Sequence, residues 1–183
     1  TYYLGEEGDG AMKTGWIELE NENEELDQDT VWHFFDSNGR MVMNQIDRKI
    51  NGSCYTFQNG ILQTGWFRLP ETAQASADAQ SDPAAEINSA LPAIASYQFY
   101  EEDGKRGNGW YQMEGAPEIS EEGEAFIFYI KKGRPYYAAT GVQVFTVDGR
   151  RFGFNERGEL QTGLQSVITE DGQTANYYFG DDG

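Results

Sequence analysis

Apolar residues along this chain fall into short runs separated by polar turns. The runs "GWIEL" (Gly15–Leu19), "WHFF" (Trp32–Phe35), "CYTF" (Cys54–Phe57), "YQFY" (Tyr97–Tyr100) and "FIFYI" (Phe126–Ile130) are rich in aromatic side chains and bounded by Gly, Asn or Asp. Alternation along a run such as "WHFF" sends every other aromatic to one face, which predicts β-strands. Helical periodicity is almost absent outside "PAAEINSAL", where the pattern predicts a short helix starting at Pro83.

The runs belong to a repeat. An aromatic strand leads into an acidic or polar turn ending in Gly, followed by a link of the form x-hydrophobic-x-Thr-Gly. The link stands out in "GAMKTGWIEL" (Gly10–Leu19), "GILQTGWFRL" (Gly60–Leu69) and "GELQTGLQSV" (Gly158–Val167). Without insertions the unit is about 20 to 25 residues, in the range of stacked repeat architectures. Each unit reads as a β-hairpin. Its first strand begins at the Gly-Trp, its second is the aromatic run, and "NGS" (Asn51–Ser53), "VDGR" (Val147–Arg150) or "EDG" (Glu170–Gly172) joins them. Asn-Gly and Asp-Gly are strong hairpin signals because the tight turn needs positive φ. In the links, Gly turns the chain and the Met or Leu, as at Met12, plugs the gap between hairpins.

Three segments interrupt the pattern, at 20–29, 70–95 and 114–124, and all are placed at hairpin tips. The second has the Ala/Ser/Asp-rich composition of a linker and is the one place where a domain boundary would fall. Its flanks, "GWFRLP" and "SYQFY", complete one hairpin, so it is read as an insertion. A lone hairpin cannot bury both faces and is marginal in water. Stacking successive hairpins removes that difficulty, and the expected fold is an all-β, β-hairpin repeat solenoid spanning 1–183.

Composition sharpens this picture. Aromatics make up 14% of the 183 residues against 38% hydrophobic overall, so Tyr, Phe and Trp carry much of the apolar surface rather than one large aliphatic core. The formal net charge of −18 excludes nucleic acid as a partner and disfavours an anionic membrane, while a small cation would be attracted. No run of about 18 apolar residues is present, so no membrane insertion is expected. Cys54, the sole cysteine, has no partner for an intramolecular disulfide and reads as a packed strand residue. The chain opens and closes in mid-pattern, at Tyr2-Tyr3 and "YYFGDDG", which reads as a fragment whose terminal hairpins could pair end to end.

Little here suggests catalysis. His33, the single histidine, occupies a strand slot and supports no Ser-His-Asp arrangement. The acids cluster in turns and tips, without the spacing of a calcium loop. The expectation is a non-catalytic module without cofactor or metal.

The stretch "YYLGEEGDGAMKTGWIEL" resembles the cell-wall-binding, or choline-binding, repeat of Gram-positive surface proteins, which is similar to repeats of glucan-binding domains and clostridial toxins. The motif is intact at Tyr2–Trp16 and Phe57–Trp66, and at Phe154–Gly163 up to the Gly. It is looser at Tyr97–Trp110 and Phe126–Val142. The resemblance implies a left-handed solenoid of hairpins, a secreted or cell-surface location, and aromatic cages between hairpins that hold choline of teichoic acid. A quaternary ammonium cannot donate a conventional hydrogen bond, so π-faces stabilise it, at about 0.5 to 2 kcal/mol per ring. Carried over, the first cage is Trp16 and Trp32 with Tyr55 and Met41 or Met43. The second is Trp66 and Tyr97 with an aromatic near Phe126, and the third is Trp110 and Phe126.

Departures bear on this set. Val142 and Leu164 stand where Trp is expected, the second unit has "MNQI" in place of Gly-Trp, and Cys54 and Arg151 occupy the first strand-aromatic position, where an Arg would repel choline. The same rings could stack on the apolar face of a sugar, so glycan binding is an alternative. They could also simply pack hairpin on hairpin, as expected of Phe34, Phe57, Phe99, Phe128 and Phe154. A structural spacer or adhesin stalk is therefore the third reading.

Overall fold

Asn51 and Gly52 both have positive φ, at 48° and 92°, and so do Asp148 and Gly149, at 49° and 80°. Positive φ at both central residues is the type I′ geometry, whose twist matches that of the strands it joins. These turns set the register of the hairpins that follow.

The structure, a computed structural model, describes residues 1–5, 10–21, 23, 26, 28–70, 91–169 and 171–183. The expected helix over 83–91 falls, apart from Leu91, outside the described residues. Among those described, six antiparallel hairpins succeed one another. The first pairs β1 (Gly15–Glu20) with β2 (Thr30–Phe35), and the second pairs β3 (Gln45–Ile50) with β4 (Ser53–Gln58) and a short β5 (Ile61–Leu62). In the third, β6 (Gly65–Arg68) meets β7 (Tyr97–Tyr100). The fourth joins β8 (Gly109–Glu114), β9 (Ala125–Lys131) and β10 (Arg134–Pro135). The fifth joins β11 (Val142–Val147), β12 (Arg150–Asn155) and β13 (Leu160–Gln161), and the sixth pairs β14 (Gly163–Ile168) with β15 (Thr174–Phe179). The expected all-β hairpin-repeat class is the one observed. Strands begin at Gly15, Gly65, Gly109 and Gly163, as the Gly-Trp and Thr-Gly signals predict.

The chain forms two compact units. One comprises residues 1–65 with 100–106, and the other 66–99 with 107–183. Within each, the link's apolar side chain lies on the turn glycine of the next repeat. Met12 covers Gly39, Met41 and Met43 cover Gly60, Leu62 covers Gly104, and Leu160 covers Gly183. A Cβ on any of these glycines would collide with its plug. The link motif and the turn glycine are thus two halves of one contact, as expected for Met12.

The last apolar residue of each strand run points inward. Phe35, Tyr100, Ile130, Phe154 and Phe179 are buried, with Phe57 and Phe128 beside them in the sequence pattern. In the first unit the second hairpin lacks Gly-Trp, and its β3 carries a bulge between Gln45 and Arg48 with Asp47 at φ 55°. The Asp47 amide donates to Thr56 Oγ1 at 3.0 Å. The Thr56 hydroxyl meets the fully buried Tyr100 hydroxyl at 2.5 Å. The Tyr100 hydroxyl in turn donates to the Asp47 carboxylate at 3.2 Å, which also receives Arg106 at 2.7 Å. Every polar group in this chain of contacts has a partner, which is what allows it to be buried.

Candidate aromatic clefts

Three Trp residues open a first strand, and each meets a ring on its own hairpin and rings on the next. In β1, Trp16 pairs across the strands with Phe34. Its indole lies 5.0 Å from Phe34 and 4.9 Å from Tyr55, both nearly edge-on, and 5.8 Å from Phe57 in a stacked arrangement. The next pair on the same face is Glu18 with Trp32, and Trp32 is 44% exposed. Glu18 is fixed by the Thr30 hydroxyl at 2.6 Å. The half-buried Trp16 and Phe34 therefore pack on the buried Tyr55 and Phe57 of the core cluster beneath them, and the exposed Trp32 and the Glu18 carboxylate continue the same face of the hairpin. Lys105 is paired with Asp103 at 2.5 Å, which raises the Lys105 ammonium above its ordinary range.

Of the expected first cage, Trp16 and Tyr55 come together. The ring directly opposite Trp16 is Phe34, two residues beyond Trp32, because the register pairs Trp32 with Glu18. Met41 sits on the link instead, its backbone bridged to Phe35 and its side chain over Gly60.

In the second unit, Trp110 of β8 pairs with Tyr129. The indole lies 4.9 Å from Tyr129, 4.7 Å from Phe152 and 6.1 Å from Phe154, and is 40% exposed. Gln112 and Ile127 form the next pair on the same face. The expected Phe126 is not among these rings. It pairs with Met113, on the opposite face of the hairpin, and Arg157 covers it at 5.8 Å. A shift by an odd number of residues exchanges the faces of a strand, and Phe126 lies three residues before Tyr129, the ring opposite Trp110. The same slip applies to Cys54 and Arg151. The residues that face Trp16 and Trp110 are Tyr55 and Phe152, while Arg151 pairs with Thr146 and points to solvent.

Trp66 is different. Its ring meets Phe99 at 5.4 Å, Phe128 at 5.3 Å and Tyr97 at 6.5 Å, so the expected partners do assemble. The space between them is filled, however. Ile94 from the 3-10 turn at Ala93–Ser96 and Ala116 from the segment after β8 are both buried against Trp66 and Tyr97. The Trp66 indole N–H donates to the Glu114 carbonyl at 2.9 Å, and the Tyr97 hydroxyl to the Pro117 carbonyl at 3.1 Å. Residues of two tip segments thus close this cleft. At the sixth hairpin, Leu164 takes the Trp position opposite Tyr178, and both are exposed.

The titratable groups serve the turns. The Arg40 amide holds the Asp36 carboxyl below the usual carboxylate range, and Asn38 donates to the same oxygen. The Lys105 ammonium lowers Asp103, and the Thr169 hydroxyl lowers Asp171. His33 is buried and its Nδ1–H donates to the Gly60 carbonyl at 2.9 Å. Glu159 is buried, its carboxylate accepting from Ser120, Asn155 and Arg157. No group of three or more metal-ligating side chains is found among the described residues. Among them too, no helix is long and apolar enough to cross a membrane.

Sequence reasoning missed Phe34, Tyr129 and Phe152 as walls. A signal was available, because the ring opposite the Trp is the residue before the last of the strand run. It is Phe34 before Phe35 and Tyr129 before Ile130.

No family model matches the sequence, and no curated protein matches it. Solved structures do. The crystal structure of CbpF in complex with ipratropium is matched at 16% identity with a TM-score of 0.51, covering 91% of this chain and 44% of that one. Choline binding protein F from Streptococcus pneumoniae, with a peptidoglycan analogue, is matched at 18% identity and a TM-score of 0.46, covering 91% of this chain and 53% of that one. The modular autolysin LytC from Streptococcus pneumoniae, with a synthetic peptidoglycan ligand, is matched at 16% and 0.47, covering 95% and 33%. The chain therefore spans between a third and about half the length of these proteins. At 16% identity the likeness to CbpF is one of fold, and the fold of this chain is the β-hairpin repeat of that choline-binding protein.

Proposed function

We propose that this chain is a non-catalytic binding module that holds its parent protein at a bacterial cell wall by recognising a quaternary ammonium group, choline of teichoic acid being the natural form. The Trp16 cleft carries the reading. Trp16 lies 5.0 Å from Phe34 and 4.9 Å from the buried Tyr55, nearly edge-on to both, with the exposed Trp32 and the carboxylate of Glu18 as the next cross-strand pair on the same face of the hairpin. Each ring would contribute about 0.5 to 2 kcal/mol to a cation placed among them. The net charge of −18 adds a modest long-range attraction. CbpF, whose fold this chain shares, is a choline-binding protein, which supports the same ligand class. A module rather than an enzyme is supported by the use made of the buried ionisable groups, since His33 and Glu159 are engaged in holding turns and links. A cell-wall location follows from the ligand.

The test is a titration with choline chloride followed by Trp fluorescence, with Trp16→Ala as the comparison. A saturable change in the millimolar range that disappears in Trp16→Ala is expected. A response equal in both proteins, or none in the parent chain, would refute the assignment.

The filled cleft at Trp66 favours a spacer role for the third hairpin. There the rings pack on Ile94 and Ala116 and leave the ligand-binding work to other repeats.

A further inference from the structure

The Trp16 and Trp110 clefts have the same frame and differ at the rim. Their walls correspond position by position. Trp16, Phe34, Tyr55 and Phe57 in the first are matched by Trp110, Tyr129, Phe152 and Phe154 in the second. Beyond them, Glu18 and Trp32 are matched by Gln112 and Ile127, so the second cleft has neither the carboxylate nor the exposed fifth ring.

The last difference lies at the start of the following hairpin's second strand. Ser53 begins β4 directly after Asn51-Gly52, two residues before Tyr55. Arg150 begins β12 directly after Asp148-Gly149, two residues before Phe152. Alternation puts each on the face that carries the wall ring. The Arg150 guanidinium lies over the Phe152 ring at 5.4 Å, within the range of a cation–π contact. Its other side is paired with Asp182 at 2.8 Å, and Arg150 holds the Asp182 carboxyl below its usual range. The guanidinium is thus oriented between a ring face and a carboxylate, the two features that a cationic ligand would seek.

We propose that Arg150 is a specificity-determining residue that closes the Trp110 cleft to quaternary ammonium ligands by placing the chain's own cation on Phe152. This rests on the functional reading given for Trp16, and it goes further by assigning the two clefts different selectivity. The Trp16 cleft takes the cation. The Trp110 cleft, though equally aromatic and 40% exposed at its indole, does not. Removing Arg150 would free both the Phe152 face and the Asp182 carboxylate, converting the cleft to one that accepts cations.

The experiment follows the indole N–H signals of the four Trp residues by NMR, assigned with single Trp→Phe variants, during titration with choline chloride. In the parent chain the Trp110 signal is expected to show no saturable shift at concentrations that saturate Trp16. In Arg150→Ser, which copies Ser53, the Trp110 signal is expected to titrate about tenfold or more tighter than in the parent. Arg150→Lys retains the cation and is expected to keep the cleft closed. The Arg150 side chain is largely exposed, so the Ser variant is expected to fold, and unchanged positions of the Trp16 and Trp66 signals without choline verify this. A saturable Trp110 shift in the parent chain with the midpoint of Trp16 would overturn the proposal, as would a Trp110 signal in Arg150→Ser that remains as unresponsive as in the parent. Failure of the choline reading itself would be seen at a different signal, Trp16, and is thereby distinguishable.

Discussion

Replacing Ile94 with Ala tests whether the cleft at Trp66 is a packed core rather than a vacant ligand site. Ile94 is fully buried, next to Tyr97, Ala116 and Trp66, and within van der Waals reach of a Cβ built on Gly158. The substitution removes the side chain beyond Cβ. At about 0.8 kcal/mol per buried carbon, the transfer cost is about 2.4 kcal/mol. The neighbours are rings and backbone that cannot close on the gap, so a cavity contribution of about 1 kcal/mol or more is added. The expected loss is therefore about 3 to 4 kcal/mol. Urea denaturation followed by Trp fluorescence measures it, and Trp66 lies against the altered site. Ile127→Ala, at a side chain 36% exposed on the open face of the fourth hairpin, is the comparison and is expected to cost about 0.5 kcal/mol. A loss below about 1 kcal/mol for Ile94→Ala would refute the packing argument, because a side chain in solvent contact gives that value. It would return Trp66 and Tyr97 to the set of candidate ligand walls.

Tyr100→Phe is expected to cost about 1 to 3 kcal/mol by leaving Thr56 and Asp47 short of a partner, read from the shift in urea midpoint. Burial pushes the Tyr100 phenol well above its ordinary value near 10. The unfolded chain therefore loses this proton first, and the stability contributed by Tyr100 is complete below pH 10 and declines as pH rises above it. Tyr100→Phe should accordingly flatten the alkaline limb of the stability profile, and an unchanged limb would count against the buried hydroxyl. Gly60→Ala and Gly52→Ala separate backbone strain from the plug contact. Both sites have φ near +90°, but only at Gly60 would the new Cβ meet Met41, at 2.5 Å from its sulfur, whereas nothing lies within 4 Å at Gly52. Each should lose about 1 to 2 kcal/mol to the left-handed backbone, and Gly60→Ala should lose measurably more in the same denaturation assay. Equal losses would mean that Met41 does not bear on the turn.

What the sequence makes legible is local. Asn51-Gly52 and Asp148-Gly149 announce hairpins because a single backbone geometry suits both residues, and Gly-x-hydrophobic-x-Thr-Gly announces a link because its Met or Leu needs a bare glycine to rest on. These are contacts between positions at fixed spacing, so a repeat in the sequence becomes a repeat in the structure. The ring sets were only half legible for a different reason. Phe126 and Tyr129 are both aromatic, and composition cannot say which lies opposite Trp110. Strand register decides, and an error of one residue sends the side chain to the wrong face. The closure at Trp66 is less legible still. Ile94 and Ala116 lie inside tip segments, the first of linker-like composition, and nothing in their local pattern states that they return to the same indole. Fold information in such a chain is held at every repeat by turns and plugs, while ligand selectivity is held by a few rim positions that the fold does not constrain. Ser53 and Arg150 can therefore differ in charge at one equivalent place without disturbing the hairpin beneath either of them. A substitution at such a rim position is expected to cost little stability, because the Arg150 side chain and its Asp182 partner are exposed while the strand residues that hold the hairpin are buried.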